Sequence, residues 1–159
     1  VTAPPTGNTD PALFSVNYGH GQWVVTDFNN KLDISTDAGQ SWTTQDGPTT
    51  DAGDDNVVTV RKLVWIRGSA WVAMGEWQDQ QTFEGDATAW FSDDDMLTWT
   101  RDTSALFAQH GEQQAIGVDI RRETGEIFVV GYDDCGGGLG PDDECDNDSL
   151  DGALWLGKY

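Results

Sequence analysis

At 159 residues the chain is the size of one domain and long enough to bury a core. Its 28 acidic residues against eight basic ones give a formal charge of −20, a surface that repels phosphate backbones and anionic lipid. Nucleic-acid binding is thereby excluded, and with no apolar run of membrane-spanning length, so is insertion of a helix into a bilayer.

Residues 1–11 read as a linker or a closing strand, with Pro4 and Pro5 restricting ladder hydrogen bonds. The start at Val1, without an initiator Met or a signal peptide, leads us to expect a processed or excised segment. Beyond it, eight Trp, six Phe and three Tyr alternate with turns rich in the 19 Gly, which predicts short strands and hairpins. The first group of strands is Leu13–Tyr18, Gln22–Thr26, Lys31–Ser35 and Ser41–Thr44. The second is Lys62–Ile66, Ala70–Gly75, Ala89–Ser92 and Thr98–Thr100. One or two turns of helix at Ser104–Gln109 are the best helical candidate. The third group is Ala115–Ile120, Ile127–Tyr132 and Ala153–Leu156, with no fourth strand before Tyr159.

These groups are three repeats, about 12–45, 60–101 and 114–159, within one domain spanning 12–159. The aromatic positions Trp23, Trp71 and Phe128, 48 and 57 residues apart, are taken as equivalent. A four-stranded meander cannot bury both faces alone, so each sheet must pack on a neighbour. The expected fold is all-β and β-propeller-like: about three four-stranded antiparallel blades, the third incomplete, completed by oligomerisation or by a longer parent chain.

The segment Ser35-Thr36-Asp37-Ala38-Gly39-Gln40-Ser41-Trp42 fits Ser-x-Asp-x-Gly-x-x-Trp at every specified position. Ser92-Asp93-Asp94-Asp95-Met96-Leu97-Thr98-Trp99 keeps Ser92, Asp94 and Trp99 but has Met96 in place of Gly. This resembles the Asp-box of the sialidase-type (BNR) repeat family. The resemblance implies a structural turn between the third and fourth strands, on the face opposite that family's active site. The Asp carboxylate would accept turn amides, Gly39 would supply the bend, and the Trp would cover it. Met96 puts the left-handed residue of the second turn in question, since Gly takes positive φ most easily.

Meander order sends the longer connections, 27–31, 45–60, 76–88, 101–114 and 133–152, to one end of the sheets and the tight turns to the other. The long connections hold most of the acid, and long loops on a rigid scaffold commonly carry function. Gathered carboxylates call for cations, and flexible oxygen-rich loops suit calcium. Asp142, Glu144, Asp146 and Asp148 are the candidate calcium ligands, although the segment is not an EF-hand and a solvated acidic loop is the alternative. Trp77, Phe83 and His110 are candidate carbohydrate contacts, because aromatic rings beside carboxylates suit sugar CH and OH groups. Trp77 and Phe83 serving only to anchor a loop is the other reading. Cys135 and Cys145 lack the four ligands of a zinc site. They are expected to close the loop as a disulfide, implying an oxidising compartment, with two unpaired thiols as the alternative.

The family's hydrolases hold substrate with an Arg cluster, a Tyr/Glu nucleophile pair and an Asp acid. Here Arg67, Arg121 and Arg122 fall at the tight-turn end, away from the acid. The sequence therefore points to a non-catalytic binding or assembly module, secreted, periplasmic or at a cell surface. Homo-oligomers, fibre partners or a glycan are its expected partners. A fragment of a sialidase-like glycoside hydrolase and a lectin-like glycan binder are the alternatives.

Overall fold

The computed structural model describes residues 2–4, 12–49, 57–78, 85–102, 112–134 and 150–158, and among them there is no helix. Among these residues eleven strands form three antiparallel sheets. Sheet 1 runs in meander order through β1 (Leu13–Gly19), β2 (Gln22–Asp27), β3 (Lys31–Ser35) and β4 (Thr43–Asp46). Sheet 2 repeats this with β5 (Val57–Arg67), β6 (Ala70–Gln78), β7 (Gly85–Ser92) and the two-residue β8 (Thr100–Arg101). Sheet 3 has three strands, β9 (Glu112–Arg121), β10 (Glu126–Asp134) and β11 (Leu150–Lys158). The architecture is all-β, with open sheets in blade-like groups.

Sheet 2 lies between the other two, and its sequence shows why. Successive side chains of a strand point to opposite faces, and here both faces are apolar. Leu63, Trp71, Ala73 and Trp90 pack with Val24 and Leu32 of sheet 1. Their neighbours Val64, Val72, Met74 and Ala89 pack with Ala115, Val118, Ile120, Ile127 and Val129 of sheet 3. From Ala70 to Glu76 every residue of β6 is buried, whereas in β1 burial is interrupted by exposed Val16 and Tyr18.

The innermost strands of sheets 1 and 2 approach closely. A Cβ built on Gly19 would lie 2.1 Å from Cβ of Trp65, so β1 can lie against β5 only with glycine there. The exposed edge of β5 is capped by side chains of β1. Its Leu63 N–H donates to Ser15 Oγ (3.3 Å) and its Trp65 N–H to Asn17 Oδ1 (3.4 Å). Edge amides that would otherwise invite foreign strands are thereby occupied.

Two expectations need correction. Strand β5 begins at Val57 and β6 runs to Gln78, so residues assigned to long connections, Glu76 and Trp77 among them, are in the ladder. The equivalence of Phe128 with Trp71 is one residue out of register. Trp71 faces sheet 1, and its partner Trp65 stands two residues before the end of β5. In sheet 3 the residues facing the preceding sheet at that place are Ile127 and Ile120. Phe128 stands one residue further into β10 than Trp71 stands into β6, and so takes the other face of its sheet. Of the segment expected as a linker or a closing strand, the described residues 2–4 form no strand. Thr2 instead binds a turn of sheet 1, while the candidate helix at 104–109 lies outside the described residues.

Candidate functional site: two Ser-x-Asp turns and the cleft beside one of them

The two matching octapeptides fold into turns with the same hydrogen-bond pattern. In each, the Ser is the last residue of a strand and is buried. Ser35 Oγ donates to Asp37 Oδ1 (2.9 Å) and accepts the Gly39 N–H (2.8 Å). Ser92 Oγ donates to Asp94 Oδ1 (2.8 Å) and accepts the Met96 N–H (2.8 Å). Asp37 accepts Ser41 N–H (2.8 Å) and Ser41 Oγ–H (2.6 Å); Asp94 accepts Thr98 N–H (2.9 Å) and Thr98 Oγ1–H (2.6 Å). These bonds to the charged form hold both carboxyls down at about 2, with the hydroxyls of Ser41 and Thr98 as the largest cause. A carboxylate whose lone pairs are spent in this way, and which stays ionised, is a poor general acid or base near neutrality.

Met96 adopts the left-handed conformation after all, with φ of 69° beside Asp95 at 60°. The first turn has Ala38 at 58° and Gly39 at 80°. What stabilises Met96 in a conformation glycine prefers is its side chain, 1% exposed in the core between sheets 1 and 2. Sequence comparison of the turns alone saw only a lost glycine. The apolar character of Met96 was the signal that it had another role.

Sheet 1 closes over the second turn. His20 Nδ1 lies 2.7 Å from the Asp95 carboxylate, Trp71 Nε1–H donates to Asp95 Oδ1 (3.2 Å), and Gln45 Nε2–H donates to the Met96 carbonyl (2.9 Å). Over the first turn no sheet stands among the described residues. Thr2 Oγ1–H donates to the carbonyls of Gly39 and Gln40 (both 3.1 Å), and Trp42 Nε1–H donates to Thr2 O (3.1 Å). Beside these contacts a cleft of about 490 Å³ remains, lined by Tyr18, Gly21, Trp23, Thr36, Asp37, Ala38 and Gln40. The Tyr18 and Trp23 rings form its aromatic wall, 5.0 Å apart and inclined by 50°.

At the opposite end of the sheets several acids are engaged. Asp27 accepts the N–H groups of Asn29 (2.9 Å) and Lys31 (2.8 Å), and Asp46 pairs with Lys31. Arg61 binds Glu76 (2.8 Å) while its guanidinium lies 4.7 Å from the Phe14 ring centroid, tying sheet 2 to sheet 1. Burial raises the Asp33 carboxyl, opposed by the Thr44 hydroxyl and reinforced by the nearby charge of Asp27. Trp77 is half-buried on β6 against the core, with the Arg101 guanidinium 4.4 Å from its ring. Phe83, His110, Asp142, Glu144, Asp146, Asp148, Cys135 and Cys145 lie outside the described residues. Among the described residues no group of three or more His, Cys, Asp or Glu side chains converges as a metal site, and no helix is long and apolar enough to cross a membrane.

No family model, curated protein or solved structure matches the chain.

Proposed function

We propose that the chain is a non-catalytic binding and assembly module of the Asp-box type, working outside the cytoplasm, with its acidic connections forming a calcium-binding rim. The observation that carries this reading is the contrast between the sheet stack's inside and its outside. Trp71 is buried beneath a neighbouring sheet, while Tyr18 and Trp23 of sheet 1 and Ile116 and Val130 of sheet 3 stand in solvent. Exposed apolar surface on the outermost sheets marks a place where something else binds.

The chemistry near these faces supports binding over hydrolysis. Asp37 and Asp94 are consumed by their own turns, and the arginines are engaged within the chain. Arg61 serves Glu76, Arg101 covers Trp77, Arg121 pairs with Glu126 (3.1 Å) and Arg122 lies 5.5 Å from the Trp65 ring centroid. An Arg cluster free to hold an anionic sugar is not found among these pairings.

The test is a three-part assay on the 159-residue chain: hydrolysis of a panel of neutral and anionic glycosides, retention on a glycan array, and mass by light scattering with calcium or with EDTA. Association or glycan retention without turnover is the expected result. Turnover of any glycoside, or a chain that neither associates nor retains a glycan, would overturn the reading. A melting temperature unchanged by EDTA would remove calcium from it, because a ligand bound only by the folded state must stabilise that state.

A further inference from the structure

We infer that the open face of sheet 1 receives the open face of sheet 3 from a second copy of this chain, so that copies join head to tail. This rests on the assembly reading above and names its partner and polarity.

The two internal interfaces define the geometry of a junction. In each, a later sheet presents the residues flanking its first hairpin turn, and the earlier sheet lays its opposite face upon them. Trp65 and Trp71, paired across the β5–β6 turn, are the receiving residues of sheet 2, and Trp71 is 0% exposed. Ile120 and Ile127, paired across the β9–β10 turn, are those of sheet 3, and both are buried. Tyr18 and Trp23, paired across the β1–β2 turn, are those of sheet 1. They remain 54% and 41% exposed, with Val16 on the same face at 56%. Sheet 1 thus carries the same receiving surface as its neighbours, uncovered.

The laying face has the same logic. In sheet 1 it holds Val24, one residue beyond Trp23 and buried against sheet 2; in sheet 2 it holds Val72, one residue beyond Trp71 and buried against sheet 3. In sheet 3 the corresponding residues are Phe128 and, two further along β10, Val130, which is 52% exposed. This face and the receiving face of sheet 1 are two halves of a junction whose whole is seen twice within the chain.

Details at the turn fit the same partner. At the internal junction the sheet 1 turn places His20 on Asp95, the residue after the turn aspartate Asp94. The matching place on sheet 1 is the cleft beside Asp37 and Ala38. The turn that would enter it from sheet 3 carries Arg121 and Arg122, exposed side chains that within their own chain lie against Glu126 and the Trp65 ring. Thr2 already holds the carbonyl of Gly39, as Gln45 of sheet 1 holds that of Met96. Val25 and Asp33, further out on the same face, are also already buried. What stays open is the inner strip along β1 and the turn-end cleft.

Each chain carries −20, so copies repel over the length at which charges are screened. Association is therefore expected to strengthen with salt, as an apolar junction between like-charged bodies must.

The experiment measures mass by sedimentation equilibrium of the 159-residue chain in 0.15 M and 0.5 M NaCl (about 8 Å and 4–5 Å of screening). Trp23→Asp and Val130→Asp are measured separately and then mixed, with circular dichroism reporting the fold. Wild type is expected to exceed the mass of one chain, more so at high salt. Each variant alone falls to one chain, and the mixture recovers a two-chain species, because each supplies the face the other has lost. Val16→Asp repeats the first arm should Trp23→Asp weaken the strand signal. Wild type at one-chain mass under all conditions overturns the inference, as does association abolished by Trp23→Asp but untouched by Val130→Asp, which means like faces pair. These outcomes are separable from the parent reading. A one-chain species that retains a glycan removes the second copy but leaves a binding module, whereas glycoside turnover removes the module itself.

Discussion

Replacing Met96 tests the central geometric claim about the second turn. The residue combines two opposed contributions: a left-handed backbone at φ of 69° and a side chain 1% exposed between two sheets. Truncating a buried Met to Ala costs about 2–5 kcal/mol through lost transfer and cavity formation. Holding a non-Gly residue in the left-handed region costs about 1–2 kcal/mol, which glycine avoids. Met96→Ala loses the side chain and keeps the strain; Met96→Gly loses the side chain and relieves it. Met96→Gly is therefore expected to be the more stable of the two by about 1 kcal/mol. That reverses the ordinary order, in which Gly trails Ala by about 0.5–1 kcal/mol within regular structure. Both stay below wild type, because burial outweighs strain. Urea unfolding monitored by tryptophan fluorescence reads the difference, and about 1 kcal/mol moves the thermal midpoint by roughly 2–4 °C in a chain of this size. If Met96→Gly unfolds before Met96→Ala, the backbone is not left-handed. If neither differs from wild type, the side chain is not in the core.

Two further outcomes follow from the turns and from the link between sheets 1 and 2. Asp37 and Asp94 are held at about 2 in the fold, against about 3.9 in an unfolded chain, so the folded state binds fewer protons between those values. Their contribution is complete above pH 4 and is lost as pH falls through 2; accordingly Asp37→Asn should lower the melting temperature at pH 5 by more than at pH 2, and an equal loss at both would refute the charged-turn argument. Arg61→Met should destabilise by about 1–3 kcal/mol, because it keeps packing on Phe14 but leaves the carboxylate of buried Glu76 without its cation. Adding Glu76→Met should recover part of the loss in a double-mutant cycle, and strict additivity would mean that the pair is not coupled.

Much of the sheet order was legible because it is written locally. Strand positions follow from two-residue alternation of apolar and polar side chains, and turn positions from Gly and from the Ser-x-Asp octapeptides, whose hydrogen bonds close within five residues of chain. The lapses came where a local rule met a partner distant in sequence. Met96 looked like a damaged glycine position until sheet 1 supplied a core for its side chain. Trp77 looked like loop because the polar residues after it hid the strand's extension, which is fixed by pairing with Val58. Phe128 looked equivalent to Trp71 because aromatic character was matched, whereas equivalence is set by which face of the sheet a residue takes. One step along the strand exchanges the faces.

The sequence by itself determined three hairpin-built units and two charged, self-satisfied turns, since each needs only contacts between neighbours along the chain. Only the tertiary structure decided that sheet 2 is buried on both sides, that Gly19 must admit Trp65, and that Trp23 stands exposed where Trp71 does not. Those facts depend on which surface meets which, and surfaces acquire neighbours only when distant segments have already folded.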